Sequence, residues 1–174
     1  ELYGLTERGV SRFHLCDTEF NQDISAAEEF LRTLIDEGPA IEWALYMKTS
    51  PWSDRMFGLL RESGAGLVTV SVPTGAESFE NAPGLIASAK KHGLRVAVDL
   101  LTGLPGQTAE QTAQDIGRIR DTGADTVGVN ATFRLYRSLP VTTHILTHGN
   151  LRTHILGDID RSRDLIRPVF YSHV

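Results

Sequence analysis

Asp99-Leu100-Leu101-Thr102-Gly103-Leu104-Pro105-Gly106-Gln107-Thr108 is the stretch that decides the fold. An apolar run from Arg95 to Leu101 reads as a strand and enters a Gly-Leu-Pro-Gly turn. Thr108-Ala109-Glu110-Gln111 has the form of a capping box that opens a helix. Glycine and proline between strand and helix let the backbone bend sharply and come close to a ligand. The turn therefore reads as one wall of a nucleoside-type site at the mouth of a parallel barrel.

Working outward, the same unit recurs: an apolar strand, a polar turn, an amphipathic helix and a glycine before the next strand. Strands are predicted near Ser11, Ile41, Gly66, Arg95 and Thr126. Helices are predicted after a Ser25-x-x-Glu28 capping box, with Phe30, Leu31, Leu34 and Ile35 on one face, and after Ser53. A third is predicted from about Asn81, with Pro83 in its first turn, and a fourth after Thr108. Residues 1–10 read as the end of a helix stopped by Gly9. Alternating strands and helices argue for right-handed crossovers and a parallel sheet. His14-Leu15-Cys16-Asp17-Thr18-Glu19 holds no glycine, so the first strand lacks a dinucleotide fingerprint. The expected fold class is α/β, a partial (β/α) TIM-type barrel of about five parallel strands over residues 1–140. Residues 141–174 are expected to be a mixed C-terminal tail, with one short helix around Ser162 to Ile166, covering part of an open edge.

The 174 residues suffice for one sizeable core. A net charge of −5 gives no reason to expect nucleic acid, and no apolar run approaches the ~20 residues of a membrane span. Cys16 is the single cysteine, which excludes an internal disulfide or a multi-cysteine metal site within this sequence. These features suit the cytoplasm. The sequence opens on Glu1, and we expect a piece of a longer protein.

Asp99 to Thr108 resembles the fifth-strand motif of radical S-adenosylmethionine (SAM) enzymes. Flanking segments are similar in register: Phe13 to Phe20, Ile41 to Ala44, Ser71 to Gly75, Asp125 to Val129 and Phe133 to Pro140. The resemblance implies a [4Fe–4S] cluster that reduces S-adenosylmethionine to a 5′-deoxyadenosyl radical, with the cofactor carrying the chemistry and the protein positioning it. It implies cofactor contacts from Thr74, Gly75, Asp99, Leu101, Gly103, Pro105, Asn130 and Arg134, the last as a bidentate carboxylate clamp. Weaker substrate contacts fall on Asp17, Glu19 and Tyr136. Asp99, at the end of a buried strand, would need partners or a ligand, and the turn would offer open backbone groups to an adenine ring. Within the family, the motif is most similar to the cobalamin-binding and coproporphyrinogen-oxidase-like branches, so cobalamin is a further expected cofactor.

Two departures stand out. The family's three-cysteine loop is absent, and Pro73 replaces the fourth-strand glutamate. We therefore expect this chain alone to lack radical activity. Its partners are expected to be a small-molecule or peptide substrate, with a homodimer through open barrel edges. The rival readings are a non-catalytic nucleoside- or partner-binding barrel and a metal-independent lyase using Lys48 as a Schiff base. His144 and His148 have the i, i+4 spacing of metal ligands but lack the glutamate of a His-Glu-x-x-His site. His14 is expected to face a helix, and His92 to favour a helix C-terminus.

Overall fold

A computed structural model describes residues 1–16, 19–74, 77–159 and 166–172. The chain forms two compact units, the first made of residues 1–100 and 117–128, the second of residues 101–116 and 129–174.

The chain follows the predicted alternation through residue 130. After a short helix α1 (Leu2–Thr6) come β1 (Arg12–Leu15), α2 (Ile24–Glu37), β2 (Glu42–Met47), α3 (Asp54–Glu62) and β3 (Ala65–Pro73). Then follow α4 (Glu77–Lys91), β4 (Arg95–Leu101), α5 (Ala109–Arg120) and β5 (Thr126–Asn130). The strands lie parallel in sequential order, β1-β2-β3-β4-β5, the arrangement of a partial barrel. Helix ends are set by local chemistry. Gly9 (φ +88°) and Gly93 (φ +75°) close α1 and α4 in the same way: each glycine amide, and the amide after it, bonds back to carbonyls of the last turn.

The sheet has two unlike faces, because side chains alternate along a strand. Leu45, Met47, Val68, Val70, Val72, Val96, Val98 and Leu100 are at most 1% exposed. With Leu31, Phe57, Leu60, Leu85 and Ile86 from the helices they form the core, each contributing roughly 1.5–3 kcal/mol by burial. The opposite face carries His14, Tyr46, Ser71 and Asp99, none of them buried.

Four expectations are corrected. His14 pairs in register with Ala44, which places it on the exposed face, where its ring stacks on Tyr46 at 5.0 Å rather than facing a helix. The α2 cap is Asp23, whose carboxylate accepts from the Ala26 amide at 3.1 Å. Glu28, the expected capping-box partner of Ser25, binds Arg32 and Ser53 instead. Phe30 is 43% exposed, since only Ala27, Leu31 and Leu34 of α2 are buried. Helix α4 begins at Glu77, so Pro83 lies inside it and leaves one rung without an N–H donor. The other two predicted caps hold. Ser53 accepts from the Met56 amide, and Thr108 and Gln111 exchange both bonds of a capping box.

In the second unit, β6 (Thr132–Arg134), β8 (Phe170–Ser172) and β7 (Ile155–Leu156) form an antiparallel sheet in the order β6-β8-β7. Helices α6 (Pro140–Thr147) and α7 (Gly149–Arg152) come from sequence whose periodicity is too weak to predict them. Leu135, Ile145, Val169 and Tyr171 form its core. Burial raises the Tyr171 phenol above its usual value. Residues 160–165, which hold most of the expected Ser162–Ile166 helix, lie outside the described residues. Among the described residues, no helix is long and apolar enough to cross a membrane.

Candidate functional site

The Gly-Leu-Pro-Gly turn is built around Gln107. Its Oε1 accepts from the Thr102 hydroxyl (2.9 Å), the Gly103 amide (2.8 Å) and the Leu104 amide (3.3 Å), while its Nε2 donates to Asp115 (3.0 Å). Thr102 is fully buried and also bonds Thr112. The open backbone groups expected of this turn are thus closed from within, because the side chain after the second glycine folds back over them. What the turn presents is apolar: Leu101, Leu104 and Pro105. Gly103 has φ +76°, and a Cβ there would lie 2.9 Å from the Ala131 carbonyl oxygen, so only glycine fits.

Those apolar side chains form one wall of a cleft of about 890 Å³ in the second unit. Asn130, Thr132, Phe133, Arg134, Tyr136, Leu139, Pro140, Val141, His144 and Phe170 complete it. Five of the sequence candidates therefore meet in one cleft: Leu101, Pro105, Asn130, Arg134 and Tyr136. Arg134 lies over the Tyr136 ring at 4.9 Å, and its Nη2 donates to the Ile166 carbonyl at 3.2 Å. With Nη2 engaged, Nε is left as a buried donor with no partner. A buried, unmade hydrogen bond of this kind calls for an acceptor. His144 and Leu139 were not singled out as lining a pocket, since nothing in the sequence placed helix α6 there.

Apart from Gly103, in the second unit, the remaining candidates sit in the first unit. Thr74 ends β3 and is 2% exposed. Asp99 is exposed rather than buried, a correction that follows from strand alternation: it falls on the open face of β4. Gly128 makes room for it, since a Cβ at 128 would lie 3.1 Å from the Asp99 carboxylate. Asp17 and Gly75 lie outside the described residues. Glu19 lines a second cleft, of about 470 Å³, at the carboxyl ends of β2 and β3, where ligands of parallel sheets bind. Its carboxylate pairs with Lys48 at 2.6 Å. Asn21, fully buried, fixes that region: its Oδ1 accepts from the Lys48 amide and its Nδ2 donates to the Lys48 and Pro51 carbonyls. Neither Thr74 nor Asp99 lines either cleft.

The donor set does not fit an iron–sulfur cluster. Cys16 is the one cysteine of the sequence, and a cubane needs several thiolates. The His144 and His148 rings lie 4.1 Å apart, but His148 Nδ1 is engaged by the His144 carbonyl at 2.7 Å. Among the described residues, no group of three His, Cys, Asp or Glu could hold a metal ion.

The fold is similar to the partial barrel of radical S-adenosylmethionine enzymes, in line with the motif resemblance. Its particular likeness is to a methyltransferase structure, TsrM from Kitasatospora setae with tryptophan substrate and a SAM analog bound. The TM-score is 0.73 at 22% identity, covering 82% of this chain and 31% of that one. A second TsrM structure carries cobalamin and a [4Fe–4S] cluster. Coproporphyrinogen III oxidase (HemN) from Escherichia coli, a radical SAM enzyme, matches with a TM-score of 0.50 at 20% identity, over 76% of this chain and 33% of that one. In sequence, the chain is 23% identical over 159 residues to tryptophan 2-C-methyltransferase of Streptomyces laurentii, covering 78% of this chain and 26% of that protein. It is 27% identical over 112 residues to cytidylyl-2-hydroxyethylphosphonate methyltransferase of Streptomyces wedmorensis, covering 57% of this chain and 21% of that protein. The chain thus spans about a quarter of these relatives. No protein-family model matches it.

Proposed function

We propose that this chain supplies nucleoside- and substrate-binding walls of a radical S-adenosylmethionine enzyme of the methyltransferase type. The observation that carries the reading is the second-unit cleft, apolar on the Leu101–Pro105 side and lined by Arg134 on the other. An adenosine has the matching chemistry: a flat ring to lie against Leu101, Leu104 and Pro105, and nitrogen or hydroxyl acceptors for the Arg134 guanidinium. When bound, S-adenosylmethionine supplies a sulfonium-activated carbon. The chain's own residues hold and orient the nucleoside. Tyr136 fixes the Arg134 plane by cation–π contact, and Gln107 keeps the turn in one shape. The single cysteine of the sequence does not suffice to ligate a cubane cluster.

The test is binding of 5′-methylthioadenosine, which has the nucleoside but no amino-acid end, measured by calorimetry. Binding to the protein, weakened about tenfold or more in Arg134→Met, is expected from the loss of a hydrogen bond to a charged donor. No binding, or equal binding by Arg134→Met, would sink the reading. A non-catalytic nucleoside-binding barrel is the second reading, favoured by Pro73 where the family carries glutamate. It shares the binding result and differs in showing no methyl transfer by the longer protein of which this chain is expected to be a piece.

A further inference from the structure

A third cleft, of about 680 Å³, opens in the first unit at the amino ends of the strands. Arg12 begins β1, Glu42 begins β2, Arg95 begins β4, and Arg61 lies in the last turn of α3; all four line it. Arg12 and Glu42 pair at 3.0 Å. Among the described residues, the side chains of Arg61 and Arg95 have no hydrogen-bond or ion-pair partner. Three guanidinium groups against one carboxylate make the lining positive, in a chain whose net charge is −5. Cations gathered around a concavity focus their field into it and draw an anion there.

The floor of the cleft points the same way. Gly64 and Gly93 line it and have positive φ, so the backbone itself calls for glycine at both. Gly66 has no such reason: its φ is ordinary, and a Cβ there would meet nothing within 4 Å. It lies inside β3, where glycine weakens a strand. The β2–β3 register passes over it, Trp43 pairing with Ala65 and Ala44 with Leu67. A bulged residue without a side chain leaves that floor clear for close approach of a ligand.

We propose that this cleft binds a phosphate group, held by the guanidinium forks of Arg61 and Arg95. Phosphate suits the site in two ways. Its two negative charges match the two arginines that Glu42 does not neutralise, and its oxygens match the fork geometry of arginine. Barrel chemistry takes place at the carboxyl ends of the strands. A phosphate held at the amino ends is therefore bound as an anchor or effector, not as the reacting group. This inference stands apart from the nucleoside reading, and the 5′-methylthioadenosine result does not bear on it.

Inorganic phosphate and glycerol 2-phosphate are the probes, titrated into the protein by calorimetry in a low-salt chloride buffer, with acetate as the monoanion control. Saturable phosphate binding is expected, at least tenfold tighter than acetate and weakening as salt is added. Tighter binding of the ester assigns the site to phosphate esters, and equal binding assigns it to the free ion. Arg61→Met and Arg95→Met should each weaken binding about tenfold or more, as loss of a charged hydrogen bond does. Glu42→Gln should tighten it at least threefold, because the carboxylate leaves and Arg12 is released; a misfolded variant would not gain affinity. Gly66→Val should abolish binding without lowering the melting temperature. Absence of saturable binding, arginine variants within twofold of the parent, weaker binding by Glu42→Gln, or undiminished binding by Gly66→Val overturns the proposal.

Discussion

Gln107 holds Gly103: the carboxamide oxygen accepts the glycine amide at 2.8 Å and so closes the turn that presents Leu101, Leu104 and Pro105. The glycines bend the chain, but this side chain selects which bend persists. A flexible loop would have to be ordered before it could present these side chains, and that ordering cost is removed here in advance.

Gln107→Ala removes an acceptor shared by three donors, one of them on fully buried Thr102. The expected loss is about 2–4 kcal/mol, in line with leaving buried donors unsatisfied. Urea denaturation measures it, and amide exchange at Gly103 and Leu104 should accelerate. Gln107→Glu keeps the acceptor but sets a carboxylate against Asp115, so its stability should improve as pH falls toward the carboxylate range.

Gly103→Ala confronts two separate obstacles, a positive φ and a Cβ 2.9 Å from the Ala131 carbonyl oxygen. Roughly 1–3 kcal/mol of destabilisation is expected from backbone strain. Gly106→Ala shares the positive φ but meets nothing within 4 Å. Thermal melts should therefore rank Gly103→Ala below Gly106→Ala.

Asp125 fastens the start of β4, accepting from Lys90 Nζ and from the Val96 amide, each at 2.8 Å. The Lys90 bond and then the Val96 bond hold its carboxyl below the usual 3.8. A lowered folded-state value gives stability that is present above the unfolded value and lost as pH falls through the folded one. Below about pH 4, melts of the protein should show an acid-side decline that is shallower in Asp125→Asn. Solvent exposure keeps the difference small.

Asn21→Ala strips three bonds from the backbone of residues 48–51 and leaves buried groups unpaired. A loss of about 2–4 kcal/mol is expected on the same grounds. Asn21→Asp retains the acceptor for the Lys48 amide but buries a carboxylate oxygen against the Lys48 and Pro51 carbonyls, so it should be no more stable than Ala. Chemical denaturation gives the order.

Most of the first unit was legible because short-range rules agree there. Strand runs such as Leu67–Val72, the Ser53 cap and Gly93 each specify one local conformation, and the packing accepts them all. The errors have a common origin. Ser25 looked like a cap because Glu28 followed it, yet Asp23 sat two residues earlier and won the bond. Pro83 looked like a first-turn residue, but burial of Phe79 and Ala82 extends α4 back past it. Asp99 looked buried because its neighbours are apolar, and only strand pairing tells which face each residue takes. The candidate residues near Thr102 and Arg134 were found through a local motif. The Glu19–Lys48 and Gln107–Asp115 pairings were not, because they depend on distances that no spacing rule encodes. The second unit was least legible, since β6, β7 and β8 are two or three residues long and take their stability from Tyr171 and Val169 rather than from pattern.

The two faces of the five-stranded sheet divide labour in a way that bears on how such a protein diversifies. Stability resides with Leu45, Val70, Val98 and their helical partners, while His14, Tyr46, Ser71 and Asp99 project from the same backbone on the other side. Exchanging one of the latter group leaves the hydrocarbon core untouched. Substitutions on that surface can therefore accumulate, residue by residue, with little risk of losing the scaffold.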